Sequence, residues 1–528
     1  MIKGFRQIAS LTALSRVFGL VRDICYFYFF GASGLLDAWF IAFKIPNLSR
    51  RLFGEGAASA SFIPIYSHEL EKDPTQANKL ANTVLTTIVA ILTSLVAAGW
   101  LGILLYTSVS KTTSDTNLIL SLTTIMLPYM VLVCSVAVMA GILNVHRHFA
   151  APAAAPIVLN IFIIATLLIT GLVFKLKALQ QVYIVAFSVL AAGLVQLALQ
   201  IIPLRSKGLS LHPQWQIRSG AFKKILILMG PMVLGLTATQ INTLFDDLIA
   251  WWFSGSPEKG TTFMLWGNEI AYPLYRGCVS HLNAAQRLYQ MPLGVFGIAL
   301  ATAIFPVLSS HAAKNDNEGL KQTITKGING AFFIALPATV GLILIAKPLV
   351  SILFGHGRFT SEDVSAAAFT LPFYAAGLTG YFTQQIVARC FYSLQDSKAP
   401  TRSALIAVFV NFGLNLVLIW PLGTAGLACS TAVCSYLQCA ILIRFLRRKI
   451  GTNILVGTGS SFIKIMAATI LMVLSLLMVF WLMKGLPETF PSNLLRLISA
   501  VLIGALVYIL AAKILNIEML SMLTGRKQ

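Results

Sequence analysis

The chain has 528 residues, of which 57% are hydrophobic and only 11% are charged. A soluble protein of this length could not bury so much apolar surface, so the composition excludes soluble enzymes and indicates a protein that crosses a membrane many times. The net charge of +21 would suggest a nucleic-acid partner in a soluble chain, but basic loops on the cytoplasmic side of a membrane explain it better, and we expect no nucleic-acid partner.

Apolar runs of about 20 residues or more predict transmembrane α-helices rather than a β-barrel. Placing the N-terminus in the cytoplasm puts most Lys and Arg on that side, which predicts that both termini are cytoplasmic. We predict an all-α polytopic membrane protein with fourteen transmembrane helices. They span residues 8–30, 35–67, 80–107, 117–145, 151–174, 182–203, 222–253, 279–311, 327–354, 364–394, 401–420, 424–446, 461–483 and 493–515.

Two pairs of similar segments indicate an internal repeat. SASFIPIYS (59–67) resembles ATAIFPVLS (301–309), and FAAPAAAPIVLNI (149–161) resembles SKAPTRSALIAVFVNF (397–412). We therefore predict two six-helix lobes, related as a parallel repeat around a central cavity, with helices 13 and 14 as an addition. The predicted domains are the N-lobe at 1–215, the C-lobe at 216–450 and the added helices at 451–528. Such an architecture is typical of alternating access rather than of an enzyme.

The first two helices carry eight charged residues despite their apolar character. They are Arg16, Arg22, Asp23, Asp37, Lys44, Arg50, Arg51 and Glu55. Each charge at the centre of a spanning helix costs roughly 2.5–3.5 kcal/mol on insertion scales, so most of them are expected to face a protein cavity. One alternative is that Arg16 pairs with Asp23 and Arg51 with Glu55 only to hold the helices together. That alternative leaves Arg22, Lys44 and Arg50 without obvious partners, which favours a bound anion.

Helix 8 adds one more intramembrane arginine, Arg287, which has no acidic residue within four positions. Its polar neighbours in the sequence are Asn283 and Gln286. Arginine offers a planar fork of donors that fits phosphate oxygens, so a cluster from helices 1, 2 and 8 is predicted to clamp a pyrophosphate. We expect Pro46 to interrupt the second helix, which makes the register beyond it uncertain.

A second polar constellation lies in the predicted C-lobe. Asp246 and Asp247 lie in helix 7, Asn411 and Asn415 one turn apart in helix 11, and Thr431 in helix 12. Carboxylate, amide and hydroxyl oxygens suit Na⁺ or another hard cation. The alternative is hydrogen bonding between helices, which the spacing alone favours. Walker, GxSxG, HExxH and DDxxD motifs are absent from the sequence, so we predict no enzyme and no catalytic residue.

Five ordered motifs between about residue 5 and residue 450 carry a family resemblance. They are SRVFGLVRD, LLDAWFIAFKIPNLSRRLFGEGAASASFIPIYS, RLYQMPLGVFGIALATAIFPVLS, FYSLQDSKAPT and LGTAGLACST. They closely resemble the MurJ (MviN) lipid II flippases of the multidrug/oligosaccharidyl-lipid/polysaccharide exporter superfamily. The arginine-rich hairpin is specific to that family, and the two added helices fit it.

The resemblance implies movement of lipid II, the undecaprenyl-pyrophosphate-linked peptidoglycan precursor, from the cytoplasmic to the periplasmic leaflet of the bacterial inner membrane. It also implies a groove for the lipid tail at helices 13 and 14 and a place beside the cell-wall synthesis machinery. The family's central-cavity residues map onto Arg16, Arg22, Asp23, Asp37, Arg50, Arg51, Glu55 and Arg287. Some members bind Na⁺, and those ligands map onto Asp246, Asn411, Asn415, Thr431 and the Leu427 carbonyl. We expect no other cofactor.

Three features depart from the family pattern. The neutral Asn415 stands where Na⁺-binding members can have an acid, and Gln286 stands where an acid often precedes the family arginine. The connection 254–278 is unusually long, and we expect it on the periplasmic side with Trp266 and its neighbouring tyrosines, Tyr272 and Tyr275, near the membrane interface.

Three other functions remain open from the sequence. One is a flippase for another polyprenyl-pyrophosphate-linked glycan, which needs the same clamp. A multidrug or metabolite exporter is the second, although the surplus of arginine argues against it. The third is a non-transporting scaffold for cell-wall synthesis, for which degenerate cavity charges would be expected.

Overall fold

The protein is described by a computed structural model that covers residues 2–50, 52, 58–451, 454 and 457–520, with the backbone alone at 2–9, 58–60 and 230–239. This part of the chain is almost entirely helical. Its helices are α1 (Ile2–Phe30), α2 (Gly34–Ser49), α3 (Ala58–Lys72), α4 (Pro74–Val109), α5 (Ser114–Met126), α6 (Tyr129–Val145), α7 (Ala150–Leu168), α8 (Ala178–Ser206), α9 (Gly220–Trp252), α10 (Cys278–Pro292), α11 (Ile298–Ala313), α12 (Asn317–Leu344), α13 (Ala346–Phe354), α14 (Ser361–Ala376), α15 (Leu378–Ser393), α16 (Lys398–Leu422), α17 (Thr424–Ile450), α18 (Thr458–Leu482) and α19 (Phe490–Ile514).

Within the described residues, nine helical segments are long and apolar enough to cross a membrane. The pair α5 and α6, bent by 41°, would add a tenth. The bend falls at Pro128, whose ring removes a backbone donor and disfavours a continuous helix. These segments confirm a helical protein with many membrane spans, while the number fourteen and the arrangement of two lobes around a cavity stay predictions.

The second predicted helix, 35–67, is seen as two helices, α2 and α3, and residues 51 and 53–57 between them lie outside the described part. The expectation that Pro46 interrupts this helix is wrong, because α2 continues past it to Ser49. A proline inside a helix costs one backbone hydrogen bond and introduces a kink, which a packed helix tolerates. Pro46 is itself buried in that packing.

Residues 1–240 together with 256–261 form one compact unit. In this unit α1 packs against α7, α7 against α8, and α2 against α5. Aromatic rings fill the space between α1 and α2, where the centroids of Tyr26 and Trp39 lie 5.6 Å apart. This packing holds the charged stretch of α1 among apolar side chains.

The connection between α8 and α9 runs along α4 in the same unit. Asn82 donates through Nδ2 to the Ser210 carbonyl at 2.8 Å, and the Thr83 hydroxyl accepts from the backbone of Gln216 at 3.3 Å. Polar side chains on one face of α4 thus hold an extended segment, since they satisfy backbone groups that have no helical partner.

Residues 241–255 together with 262–528 form a second compact unit. Here α16 packs against α17, α15 against α12 and α17, and α10 against α14. The two C-terminal helices pack on each other, and α18 also packs on α12. The Tyr508 hydroxyl of α19 donates to the Phe333 carbonyl at 2.6 Å. The predicted domain boundaries and the predicted lipid-tail groove stay predictions.

The long connection 254–278 contains β-structure that the sequence reading did not predict. Strand β2 (Thr262–Leu265) pairs antiparallel with β3 (Asn268–Ala271), and β1 (Ser254–Gly255) pairs parallel with β4 (Leu274–Tyr275). A small hairpin therefore projects from the connection between α9 and α10.

Candidate functional site

The charged cluster of the first unit is built on α1 and α7. Arg22 donates to Asp23 Oδ1 through Nε at 3.0 Å and through Nη2 at 2.8 Å. Its Nη1 donates to Asn160 Oδ1 on α7 at 3.0 Å. The side chains of Arg22 and Asp23 are only 11% and 5% exposed. A charge this deeply buried is stable only with such partners.

This geometry corrects the expectation that Arg22 lacks a partner. Neighbouring residues leave a helix about 100° apart, so periodicity alone did not place Asp23 beside Arg22. The long arginine side chain bridges that angle, and it also lies over the Tyr26 ring, 5.7 Å from the centroid. Arg16, which shares a predicted face with Asp23, is exposed, whereas Asp23 is buried.

The Arg22 guanidinium keeps unused donor capacity. Arginine has five N–H groups, and three hydrogen bonds connect them to Asp23 and Asn160 in the described part of the chain. Two N–H groups, one on each terminal nitrogen, are therefore left for an additional acceptor. A phosphate oxygen is the acceptor that matches a guanidinium best.

The other predicted cavity residues of the first unit lie along α2 and just beyond it. Asp37 is fully buried, and Lys44 and Arg50 are half-buried. Arg50 Nε donates to Asn47 Oδ1 at 3.0 Å, so the expectation that Arg50 lacks a partner is also wrong. The Asn47 amide is neutral, so this hydrogen bond positions the Arg50 guanidinium without adding a negative charge beside it. The remaining two, Arg51 and Glu55, lie outside the described residues, and so does their predicted pairing.

Basic charge exceeds acidic charge among the described members of this set. Four of them are basic and two are acidic. They are Arg16, Arg22, Lys44 and Arg50 against Asp23 and Asp37. The surplus favours an anionic ligand over a cationic one.

Arg287 belongs to the second unit, on α10, where it is half-buried. Its polar sequence neighbours have other partners, since Gln286 Nε2 donates to the Tyr374 hydroxyl at 2.9 Å and Asn283 Nδ2 donates to the Val279 carbonyl at 2.9 Å. The prediction that Arg287 joins the arginines of helices 1 and 2 in one clamp stays a prediction.

The second polar cluster is centred on Asp246 of α9, which is fully buried. Asn415 Nδ2 of α16 donates to Asp246 Oδ1 at 2.6 Å. The Thr431 hydroxyl of α17 lies 3.3 Å from Asp246 Oδ2 and 3.0 Å from the Leu427 carbonyl. The structure thus brings together the side chains of Asp246, Asn411, Asn415 and Thr431 and the Leu427 carbonyl, which is the set that the family resemblance implied.

Asn411 has two alternative amide orientations. In one, its Oδ1 accepts from Asn415 Nδ2 at 2.9 Å; in the other, its nitrogen donates to Asp246 Oδ1 and to Asn242 Oδ1, both at 3.0 Å. The Asn415 Oδ1 atom is buried and accepts no hydrogen bond from the described residues. A buried acceptor of this kind is costly unless another partner satisfies it.

A stack of tyrosines close to this cluster was missed from the sequence. Tyr289 of α10 lies against Tyr374 of α14 with centroids 4.9 Å apart and planes at 14°, and against Tyr381 of α15 at 5.9 Å. The Tyr381 hydroxyl donates to the Thr431 carbonyl at 3.4 Å. Tyrosines inside two predicted membrane helices, 279–311 and 364–394, were the available signal, because a buried hydroxyl needs a partner.

In the described part of the chain, no group of three or more His, Cys, Asp or Glu residues is placed to hold a metal ion. The donor set around Asp246 is of a different kind, with one carboxylate, two amides, a hydroxyl and a carbonyl. Such oxygen donors suit a hard monovalent or divalent cation rather than a transition metal.

Comparison with known proteins gives concordant matches. A sequence model of the family described as lipid II flippase MurJ matches residues 27–512. A probable lipid II flippase MurJ of Vibrio cholerae is 33% identical over 84% of this chain and 82% of its own length. One from Buchnera aphidicola of Acyrthosiphon pisum is 30% identical over 99% and 98%.

Solved structures give the same fold. A lipid II flippase MurJ in an inward closed conformation aligns with a TM-score of 0.75 at 23% identity, covering 96% of this chain and 98% of that one. An inward-facing multidrug resistance MATE transporter of the MOP superfamily aligns with a TM-score of 0.64 at 14% identity, covering 84% and 97%.

Proposed function

Since this chain belongs to the lipid II flippase MurJ family, we propose that it flips lipid II across a bacterial inner membrane. The direction is from the cytoplasmic to the periplasmic leaflet, and both termini lie in the cytoplasm. The protein acts as a transporter and not as an enzyme, in the neighbourhood of the cell-wall synthesis machinery that uses the substrate.

The observation that carries this proposal is the state of Arg22. Its guanidinium is nearly buried, is fixed by Asp23 and Asn160, and has two N–H groups that these hydrogen bonds to the described residues leave unused. A positioned arginine with spare donors in a basic setting fits the pyrophosphate of a polyprenyl-linked substrate. Further substrate contacts in this proposal are Arg16, Arg50, Arg51 and Arg287, with Asp23, Asp37 and Glu55 orienting them.

The proposed cycle is alternating access. The head group enters from the cytoplasmic leaflet, the arginines neutralise the pyrophosphate, and the polyprenyl tail stays in lipid beside α18 and α19. The lobes then rock and release the substrate outward. Moving one charge through the membrane potential is worth roughly 2.3 kcal/mol per 100 mV, which is enough to bias such a cycle.

Depletion and complementation test the proposal. Loss of the protein should cause lipid II to accumulate in the inner leaflet, and wild-type protein should reverse this. The Arg22→Gln variant should fail to restore flipping while remaining folded in the membrane, and Arg22→Lys should restore it only in part, because lysine lacks the planar fork.

Arg218→Gln is the matched control, because Arg218 is an exposed arginine on the connection between α8 and α9, and it should restore flipping fully. Normal flipping by Arg22→Gln would remove the clamp from the proposal. Drug sensitivity on depletion, without lipid II accumulation, would favour an exporter instead.

We also propose that the Asp246 cluster binds Na⁺ as a coupling ion. The buried Asn415 Oδ1, which accepts no hydrogen bond from the described residues, is the feature that fits a cation. Asp246, Asn411, Asn415, Thr431 and the Leu427 carbonyl would hold the ion, which would couple the transport cycle to a sodium gradient. Each amide would turn its oxygen toward the ion.

Thermal stability in sodium and in choline salts tests this cation site. Ligand binding to the folded state raises its melting temperature by mass action, so Na⁺ should stabilise the wild type. Asp246→Asn should abolish the difference, and Asn415→Asp should enlarge it by adding a second carboxylate. Equal melting temperatures in both salts for all three proteins would contradict the sodium proposal and leave lipid II flipping untouched.

A further inference from the structure

The tip of the hairpin between α9 and α10 has an unusual residue in its turn. Trp266 and Gly267 join β2 to β3, with φ values of 50° and 80°. Two consecutive positive φ angles define a type I′ turn, for which Asn, Asp and Gly are favoured. A bulky side chain is unfavourable in this left-handed region. Trp266 is therefore not explained by the conformation of the turn.

Packing within the protein does not explain Trp266 either. The residue is 93% exposed, and Met264 and Leu265 are 68% and 40% exposed. Three adjacent apolar residues thus face outward at the end of a projecting hairpin. Their apolar surface is stabilised only by something other than the described residues.

The shape of the tip indicates the kind of medium that covers it. Met264 and Leu265 are successive residues of β2, so they point to opposite faces of the hairpin, and Trp266 extends beyond both. A tip that is apolar on both faces and at its end is suited to lipid, which surrounds an inserted element on all sides.

The base of the hairpin is fixed at the ends of membrane helices. Phe263 packs against Phe253, which directly follows α9, with centroids 6.4 Å apart, and against Trp420 near the end of α16, at 6.3 Å. Each strand has four residues, a reach of roughly 14 Å at 3.4 Å per residue. The tip is therefore within reach of the interfacial layer next to the hydrocarbon core.

We propose that the tip Met264–Leu265–Trp266 is immersed in the lipid interface of the leaflet at the ends of α9 and α16. Tryptophan prefers that layer because its ring is apolar and its N–H can meet headgroup oxygens. Glu269 is the only charged residue in 262–271, so the attraction is apolar and does not require anionic lipid. The hairpin holds the connection between α9 and α10 at a fixed depth, whatever substrate the protein moves.

A depth measurement on the full-length protein in vesicles tests this inference. Cys25 and Cys429, which are partly exposed, are replaced by Ser, and an environment-sensitive fluorophore is attached after Met264→Cys. A quencher carried on the lipid chain near the headgroup should quench this label in vesicles of phosphatidylcholine alone, and equally in vesicles with added phosphatidylglycerol.

The matched control label is attached after Glu362→Cys. Asp363, the next residue, lies 3.0 Å from His281 near the start of α10, so Glu362 is at the same end of the second unit and is exposed and polar. This label should respond to an aqueous quencher and not to the lipid-borne one.

Trp266→Asn completes the design, because Asn-Gly is a favoured type I′ turn and preserves the hairpin. This change should remove most of the lipid quenching of the label at 264. A label at 264 that only the aqueous quencher reaches would overturn the inference. A label shielded from both quenchers would place the tip against protein and overturn it as well.

Discussion

Each unit carries an aspartate on its first helix and an asparagine on its fifth predicted helix, and the two units use this pair differently. In the first unit the pair is Asp23 and Asn160, and Arg22 binds to both. In the second unit Asp246 accepts from Asn415, one turn beyond Asn411, and lies close to the Thr431 hydroxyl. The sequence position before Asp246 is occupied by Phe245 rather than an arginine.

The two carboxylates differ in the charge of the side chains that contact them. Asp23 is compensated by a guanidinium, so the cluster keeps positive donors that an anion can use. Asp246 is surrounded by amide and hydroxyl groups, which can turn their oxygens toward a cation. The residue before the aspartate is Arg22 in the first unit and Phe245 in the second. Under the two proposals above, the first cluster suits an anion and the second suits a cation.

The largest expected effect comes from removing Asp23. Asp23→Leu leaves the nearly buried Arg22 without its carboxylate, and breaking a buried ion pair from one side costs about 3–5 kcal/mol in free energy of unfolding. Chemical unfolding of the purified protein in detergent measures this cost. The double variant Arg22→Met with Asp23→Leu should recover most of the stability and still fail to flip lipid II.

A single variant that loses less than about 1 kcal/mol would contradict this account. It would mean that Arg22 remains solvated in the absence of Asp23, and the contrast between the two units would then disappear.

A smaller effect is expected from the amide donor of the second unit. Asn415→Leu removes the 2.6 Å hydrogen bond to Asp246, and hydrogen bonds to charged groups are worth about 1.5–3 kcal/mol. The same unfolding measurement applies. Asn329→Leu is the matched control, because the Asn329 amide bonds only a neutral hydroxyl, Ser461, at 3.4 Å among the described residues. Equal losses for the two variants would show that Asp246 does not depend on Asn415.

The smallest effect on stability is expected at an exposed carboxylate, Glu258, which serves as a comparison for the buried Asp23 and Asp246. Glu258 accepts from the Ser114 hydroxyl and from the Ser114 backbone N–H at 2.7 Å, at the start of α5. These two hydrogen bonds lower the pKa of Glu258. A lowered pKa favours the folded state above the usual glutamate pKa, and this contribution is lost as the pH falls through the lowered value.

The pH dependence of Glu258→Gln should follow that sign. The variant should melt slightly below the wild type at neutral pH, and the two melting temperatures should converge in acid. Ser114→Ala should show the same convergence, since it removes one of the two donors. A difference that grows in acid would contradict the assignment.

Helix positions were readable from the sequence because hydropathy and turn signals are local. The predicted spans 80–107 and 182–203 lie inside α4 and α8, and 461–483 closely matches α18. The donor group around Asp246 was also readable, since Asn411 and Asn415 are one turn apart on one helix. By contrast, Pro46 was misread, because the packing that tolerates a proline is not a local property.

The hairpin was missed for a related reason. The stretch TFMLWGNEIA lacks the Asn-Gly or Asp-Gly turn signal, and its turn holds Trp266 instead. Its strands are four residues long, too short for alternation to distinguish them from a loop. Its base is fixed by Trp420, which is more than 150 residues away in sequence.

By itself the sequence determined the class of the protein, the positions of most helices, the basic character of the first two and the family. Only the tertiary structure decided which side chains bind Arg22: the Asp23 carboxylate and the Asn160 amide, the latter 138 residues away. Hydropathy and helical period indicate whether a residue lies in the membrane or in water and which face of its helix it occupies. The choice of partner depends on the distance between side chains of different helices, which only packing sets.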